Sequence, residues 1–310
     1  MANKSGRVYK LTVEIDNPTL ESATPKAIEI SNPLTIEFDI DRNTNSSLNS
    51  GSFKIYNLNE TNRGLIFKNL FSSVDSYGNR KKIILQAGYE SRGDAINTKG
   101  NLATIFSGEI LQAYSFRQGS DIITYISAQD GSFAVRNSIT SVTFNAGELI
   151  KDGLKKIASN LKGIKLGAIG ETEGSYKTSA SFNNNTFYLL NRNFKDEFFI
   201  DLGVFNKLSP NETIKNSGFG IPLITSTSGL LGTPLRQGTS IVIDMLFEPR
   251  LNIAQLVEIS SQINKQFNGQ YKITGIKHSG IISGAINGDC RTTLQLFAGD
   301  KLTGGFKEIS

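Results

Sequence analysis

Over most of the first 140 residues apolar and polar side chains alternate with a period of two, the pattern of half-buried strands. The segments are VYKLTVEID (8–16), LTIEFDID (34–41), SFKIYNL (52–58), KKIILQAGY (81–89), TIFSGEILQAYSF (104–116) and DIITYISAQD (121–130), each bounded by Gly, Asn, Ser or Pro. FRQGSD, 116–121, reads as the hairpin turn between the last two. After SFKIYNL the rhythm changes: Asn59 and Glu60 look like a helix cap and a first-turn acid, and Leu65, Ile66 and Leu70 fall on one helical face. The turn at 57–60 offers only Asn, Leu, Asn and Glu. Without a nucleophile, this entry of a strand into a helix is architecture rather than chemistry.

Beyond residue 143 the period lengthens. Ile150, Leu154, Ile157 and Leu161 recur at helical spacing and predict a helix from Asn145 to about Leu161, stopped by Gly163 in a left-handed conformation. A second helix is predicted over 185–193 with Phe187, Leu190 and Phe194 inward, then a short strand EFFIDLG and the loop PNETIKNSGFG, 210–220. From about 222 strand rhythm returns in SIVIDMLF (240–247), LVEISSQI (256–263), GQYKITGIKHSGIISG (269–284) and CRTTLQLFA (290–298), with Asn268-Gly269 as a hairpin signal. The expected fold class is mainly β with minor α. Residues 1–142 form a first β domain, 143–221 a small α+β connector and 222–310 a second β domain.

A pseudo-repeat links the two β regions. GSDIITYISAQD (119–130) and GDCRTTLQLFAGD (288–300) each place a Thr three residues after an Asp and continue apolar. Each follows a long strand with an internal glycine, Gly108 in one and Gly275 in the other.

Composition narrows the function classes. At 310 residues the chain is long enough for two or three cores without staples. The single cysteine, Cys290, excludes an internal disulfide and a zinc site built on several thiolates, and points to assembly in a reducing compartment. MANKSGRVYK lacks the apolar core of a signal peptide, and no stretch approaches the roughly twenty apolar residues that cross a bilayer. A soluble protein without membrane insertion is expected. Residues 1–150 carry 15 basic and 15 acidic side chains and residues 151–310 carry 18 and 13, so the +5 net charge belongs to the second half. Spread so thinly, it does not make a nucleic-acid patch. The run Arg80-Lys81-Lys82 reads as a solvated strand edge.

The candidate chemistry is sparse. His278 is the only histidine, and a Ser-His or Cys-His enzyme would have to route through it; without a nucleophile-elbow pattern it reads as a strand residue on a half-exposed face. DIDRNTNSS begins like a calcium loop with Asp39, Asp41, Asn43 and Asn45, but Thr44 stands where the bend needs glycine and Ser50 where a bidentate Glu belongs. SGLLGTP has neither phosphate-cradle spacing and reads as a turn. Glu37, Asp39 and Asp41 alternate with Ile36, Phe38 and Ile40, so three carboxylates share one face of one strand. Acid-base chemistry, an ordinary solvated face, and a negative channel wall that repels a passing polyanion are the three readings of that face.

The order LTIEFDID, SFKIYNLNETNR, IILQAGY, IFSGEILQAYSFRQGSDIITYISAQDG resembles the first domain of baseplate hub proteins of contractile phage tails. SGLLGTP, MLFEPRL, LVEIS and NGQYKITGIKHSG resemble the last domain of the same family, with Ala254 where a glycine is expected after the MLFEPRLNI turn. The resemblance covers most of the chain and is weakest over 165–220. It implies two tail-tube-like β-barrel domains per chain and three chains per ring, so that a homotrimer presents six similar barrels to a sixfold tube and a threefold spike. It further implies a virion tail baseplate protein assembled in the host cytoplasm. The implied partners are the central spike protein, the tail tube protein, the tape measure protein end and neighbouring baseplate wedge proteins, with DNA only in transit through the lumen. Glu37, Asp39 and Asp41 become the lumen-facing set, and no cofactor, metal or catalytic residue is implied. Competing readings are a peptidoglycan-degrading tail-tip hydrolase using a Glu or Asp pair, and a sugar- or receptor-binding tip protein. The absence of Trp leaves the latter only Tyr or Phe for sugar stacking.

Overall fold

The computed structural model describes residues 6–15, 27–67, 81–90, 102–194, 197–216, 220–284, 288–299 and 305–309. Period-two alternation in the first region gives β1 (Arg7–Glu14), β2 (Ala27–Ser31), β3 (Ile36–Asn43), β4 (Ser50–Tyr56), β5 (Lys82–Tyr89), β6 (Leu102–Gln118) and β7 (Asp121–Gln129). Between β4 and β5 lies α1 (Glu60–Phe67). The inward residues of all seven strands, among them Leu11, Ile36, Phe38, Phe53, Leu85, Phe106 and Ile126, make one core that Ile66 of α1 completes. Asn59 caps α1 as expected, its Oδ1 accepting the Asn62 N–H at 2.8 Å. The helix ends on Lys81: its buried Nζ donates to the carbonyls of Leu65 and Ile66, acceptors that a helix C-terminus leaves unpaired. Lys81 is therefore not on a solvated edge. Arg80 and Leu70 lie outside the described residues.

The middle of the chain forms α2 (Ser132–Asn137), β8 (Ile139–Phe144), α3 (Ile150–Ala158), β9 (Lys165–Ile169), β10 (Ala180–Asn185), α4 (Thr186–Phe194), β11 (Phe198–Asp201), β12 (Val204–Lys207) and β13 (Glu212–Ile214). Phe144, Leu154, Ile157, Leu161, Leu190, Phe198 and Phe205 fill a separate core. Asn185 Oδ1 accepts the Tyr188 N–H at 3.0 Å and starts α4 where predicted. The first predicted helix is shorter than expected, because residues 147–150 are held in another ladder. Gly147 N–H bonds Tyr176 O, Tyr176 N–H bonds Glu148 O, and Ile150 N–H bonds Gly174 O.

The second β region comprises β14 (Leu223–Ile224), β15 (Leu230–Gln237), β16 (Ser240–Leu246), β17 (Leu256–Ile259), β18 (Gly269–Ile282), β19 (Cys290–Phe297) and β20 (Lys307–Ile309), the last parallel to β13. Its core gathers Ile243, Met245, Ile253, Val257, Ile273, Ile276, Leu294 and Leu296. The LVEISSQI strand stops at Ile259, and Asn268 is extended, with φ of −71° and ψ of 138°, so Asn268-Gly269 is not a tight turn. Asn268 instead closes a wider loop, its side chain bonding the N–H of Ser261 at 2.7 Å and its carbonyl at 3.2 Å.

One continuous sheet runs through both β regions in the order β15-β16-β19-β18-β3-β4-β7-β6-β5-β1-β2, with β17 and β14 branching from β18. Within it the same arrangement occurs twice. Numbered along each region, β3, β4, β5, β6, β7 and β15, β16, β17, β18, β19 both lie side by side in the order 1-2-5-4-3, and every neighbouring pair is antiparallel. Residue-level pairing repeats as well. Thr124 faces Ser115 and Thr292 faces His278, and both threonines are fully buried. The fourth strand bulges at one place in both: between Ile110 and Gln112 opposite Ala128 and Ser127, and between Ile273 and Gly275 opposite Leu296 and Gln295. Irregular bonds match too, Tyr56 N–H to Thr35 O with Leu246 N–H to Gly229 O, and Ile110 N–H to Lys81 O with Ile273 N–H to Gln255 O. The two internal glycines are not equivalent: Gly275 corresponds to Gln112, and Gly108 is needed because a Cβ there would lie 2.7 Å from the Gln129 backbone.

Candidate functional site

The sheet's inward face is core, and its outward face carries the sequence-predicted carboxylates. In β3 Ile36, Phe38 and Ile40 are buried while Asp39 and Asp41 are exposed and Glu37 is half-buried. The pairing register extends this alternation sideways. Glu37 lies beside Lys54 on β4 and Ile281 on β18, Asp39 beside Ser52 and Ser279, and Asp41 beside Ser50 and Lys277. Lys277 in turn neighbours Thr293, and Thr293 neighbours Asp244. A largely polar surface therefore crosses from the first β region into the second.

Two of the three carboxylates are neutralised in place. Lys54 Nζ bonds Glu37 at 2.8 Å, and the Tyr56 hydroxyl donates to the other Glu37 oxygen at 3.1 Å. The hydrogen bond to Glu37 holds the Lys54 ammonium above the usual lysine range, and burial followed by the same carboxylate raises Tyr56. Lys277 Nζ sits 3.1 Å from Asp39. Asp41 makes no ion pair among the described residues, and Thr293 Oγ1 donates to Asp244 at 2.6 Å. Counting outward positions of β16, β19, β18, β3 and β4, Asp244, Glu37, Asp39 and Asp41 stand against Arg291, Lys277 and Lys54. The face is of mixed sign, not the negative wall that the sequence of β3 alone implies, because the compensating cations come from distant segments.

Beneath this surface the three cores meet at a buried ionic junction that sequence reasoning missed. Arg42, wholly buried near the end of β3, donates through Nε at 2.8 Å and Nη2 at 2.6 Å to the two oxygens of Asp201, the last residue of β11, and through Nη2 to Asn252 at 3.0 Å. Asn49 adds a bond to Asp201 at 2.9 Å. Asp130, after β7, accepts the Gly203 N–H at 3.1 Å; burial first, then the Asp201 charge, pushes its carboxyl up to about 8. One residue from each third of the chain, Arg42, Asp201 and Asn252, thus meets at one guanidinium. The alternation of β3 does mark Arg42 as an inward position, and that was the available signal.

His278 corrects the reading of a half-exposed strand residue. It is completely buried, with Nδ1 2.9 Å from Thr292 Oγ1 and its ring edge-on to Phe247, and burial pushes it down to about 3. It is a neutral core side chain whose hydrogen bond goes to an equally buried threonine. In the 43–49 turn the side chain oxygen of Asn43 accepts from Asn45 N–H and Ser47 Oγ, and that of Asn49 from Asn43 N–H, so these oxygens shape the turn. Among the described residues no group of three or more His, Cys, Asp or Glu side chains is arranged to hold a metal ion, and no helix is long and apolar enough to cross a membrane.

Comparison with known proteins identifies what carries this architecture. A family model described as Baseplate hub gp41 matches residues 8–280. Among solved structures the chain is similar to the 43 kDa tail protein of prophage MuSo2 from Shewanella oneidensis, with a TM-score of 0.56 at 10% identity, covering 93% of this chain and 96% of that one. A tail protein of Neisseria meningitidis MC58 matches with a TM-score of 0.55 at 11% identity over the same shares, 93% and 96%. An E. coli type VI secretion component, described as structurally similar to the T4 bacteriophage tail proteins gp27 and gp5, matches with a TM-score of 0.54 at 9% identity over 96% of this chain and 79% of that one. No curated protein sequence matches significantly.

Proposed function

The chain belongs to the baseplate hub gp41 family, a structural component of the phage tail, and from that premise we propose that three copies close into a ring joining the sixfold tail tube to the threefold central spike. The observation that carries this reading is the doubled 1-2-5-4-3 sheet. Because β3 and β17 both run antiparallel to β18, the two five-stranded units point the same way along one sheet. Units related in this manner are what a ring of heterologous contacts requires, and three chains then supply six of them. We divide the chain at the same boundaries as above: a tail-tube-like β-barrel domain over 1–142, a small α+β connector over 143–221 and a second β-barrel domain over 222–310. Three hydrophobic clusters, each drawn mainly from one of these segments, support that division, with Phe247, Ile282 and Cys290 of the last segment packing into the first cluster, Phe199 and Leu208 of the connector into the second, and Ala134 of the first segment into the third.

In this reading the continuous outward face, with Glu37, Asp39 and Asp41, lines the lumen. Its mixed charges suit a wall past which a polyanion slides, since Glu37 and Asp39 of β3 are each paired with a lysine on a neighbouring strand. The tube, the spike, the tape measure end and the wedge proteins bind the remaining surfaces through permanent interfaces, typically above ~2,000 Å² each. The role is structural rather than enzymatic, in the virion baseplate, with assembly in the host cytoplasm. The test is the native mass of the purified chain, alone and with its spike: three chains per particle is the expected result, and two or four overturns the reading.

A further inference from the structure

Each unit's fourth strand is longer than the third strand beside it. In the second unit, β17 pairs with β18 only as far as Lys272, and beyond Thr274 the same edge is taken over by β3, which pairs from Asn43 opposite Gly275 to Ile36 opposite Ile282. The takeover begins with Thr44 N–H bonding Thr274 O at 2.9 Å. In the first unit β5 pairs with β6 only as far as Glu109, which the shared bulge makes the counterpart of Lys272. From Leu111 to Gln118 that edge has no strand against it among the described residues. The strand that fills the place in the second unit is strand 1 of the first. The equivalent strand 1 of the second unit is β15, and its outer edge is the free end of the sheet.

We propose that the β6 edge of one copy pairs antiparallel with the β15 edge of the next, repeating between chains the β18–β3 seam found within each chain. The inference rests on the ring reading above and names the surface that closes it. The register follows from the internal seam. Ser279 faces Asp39 and Lys277 faces Asp41; matching bulges make Ser279 the counterpart of Phe116 and Lys277 that of Tyr114. Matching second strands make Asp39 the counterpart of Leu235 and Asp41 that of Gln237. Phe116 therefore meets Leu235, Ser115 meets Arg236 and Tyr114 meets Gln237. The chemistry agrees: Phe116 is 38% exposed and Leu235 61%, two large apolar side chains left open on their own chain that the register brings face to face. The seam is short. Two extra residues bulge β15 between Leu231 and Leu235, and Pro234 among them has no N–H to donate.

The test is disulfide trapping in the full-length chain, whose own Cys290 is buried. Directly opposed antiparallel pairs alternate between close and wide spacing, so two consecutive pairs are needed: Phe116→Cys with Leu235→Cys, and Ser115→Cys with Arg236→Cys. On mild oxidation at least one pair is expected to give covalent dimers and trimers about tenfold above the single variants and above the displaced pair Phe116→Cys with Leu231→Cys. Circular dichroism matching the parent verifies folding, since all these side chains but Leu231 are exposed. A trimer by native mass in which neither in-register pair exceeds the displaced pair overturns the seam and leaves the ring standing. A chain that stays monomeric, alone and with its spike, overturns both.

Discussion

Replacing Asp130 with Asn is expected to stabilise the protein above neutral pH. Asp130 is buried beside Asp201, and its folded-state carboxyl titrates at about 8, against about 3.9 in an unfolded chain. The folded pKa is raised, so the native state keeps a proton that the unfolded state gives up. The contribution to stability is complete below about pH 4, declines as pH rises and is exhausted at about 8. His278 opposes it: burial and then Arg42 depress it to about 3, so its contribution is lost as pH falls below the unfolded value of about 6.5. Between about pH 4 and 6.5 the two slopes cancel, and from about 6.5 to 8 Asp130 acts alone. That interval of about 1.5 pH units at 1.36 kcal/mol each makes the loss roughly 2 kcal/mol. Asn keeps an acceptor for the Gly203 N–H that Asp130 receives at 3.1 Å and carries no charge. Urea unfolding of both proteins at pH 6.5, 7.2 and 8.0 is the assay. The parent midpoint should fall across the series while that of Asp130→Asn stays level; parallel slopes in the two proteins would refute the reasoning.

Arg42→Ala should cost on the order of 3–5 kcal/mol, because it strands the Asp201 carboxylate in the junction. Adding Asp201→Asn should recover a measurable part of that loss in a double-mutant cycle. Ala254 has φ of +64°, so Ala254→Gly relieves about 1–2 kcal/mol of left-handed strain while giving up a buried methyl worth about 0.8 kcal/mol. Its thermal midpoint should shift little, whereas Ala254→Val should lower it by several degrees. Reversing Glu37, Asp39 and Asp41 to Lys should leave the oligomer intact and slow DNA delivery from assembled particles; unchanged delivery removes these residues from the lumen.

Where a signal is local it was legible. The strand alternations, apart from the shortened LVEISSQI, and the Asn59 cap stand as read, since pleat and capping geometry depend on neighbours in sequence. The Thr124–Thr292 correspondence was visible in the pseudo-repeat and proves to be buried pairing of the same register. What escaped depends on partners far along the chain. The β3–β18 seam joins residues more than 230 positions apart, and nothing in LTIEFDID announces that Lys277 will sit against Asp39. Asn145 looks like a cap, yet the backbone after it is committed to the 174–176 segment. Ala254 does occupy the left-handed position for which a glycine was expected, so the bend is kept at the cost of strain.

The central claim is that two like-oriented units per chain let three chains build a ring of six. An electron-microscopic reconstruction of the hub on its tube tests it most directly. Six five-stranded units should alternate, first and second, around one lumen with equivalent strands of all six sharing one polarity. Two units of one chain pointing in opposite directions, or any number of chains other than three, would contradict it.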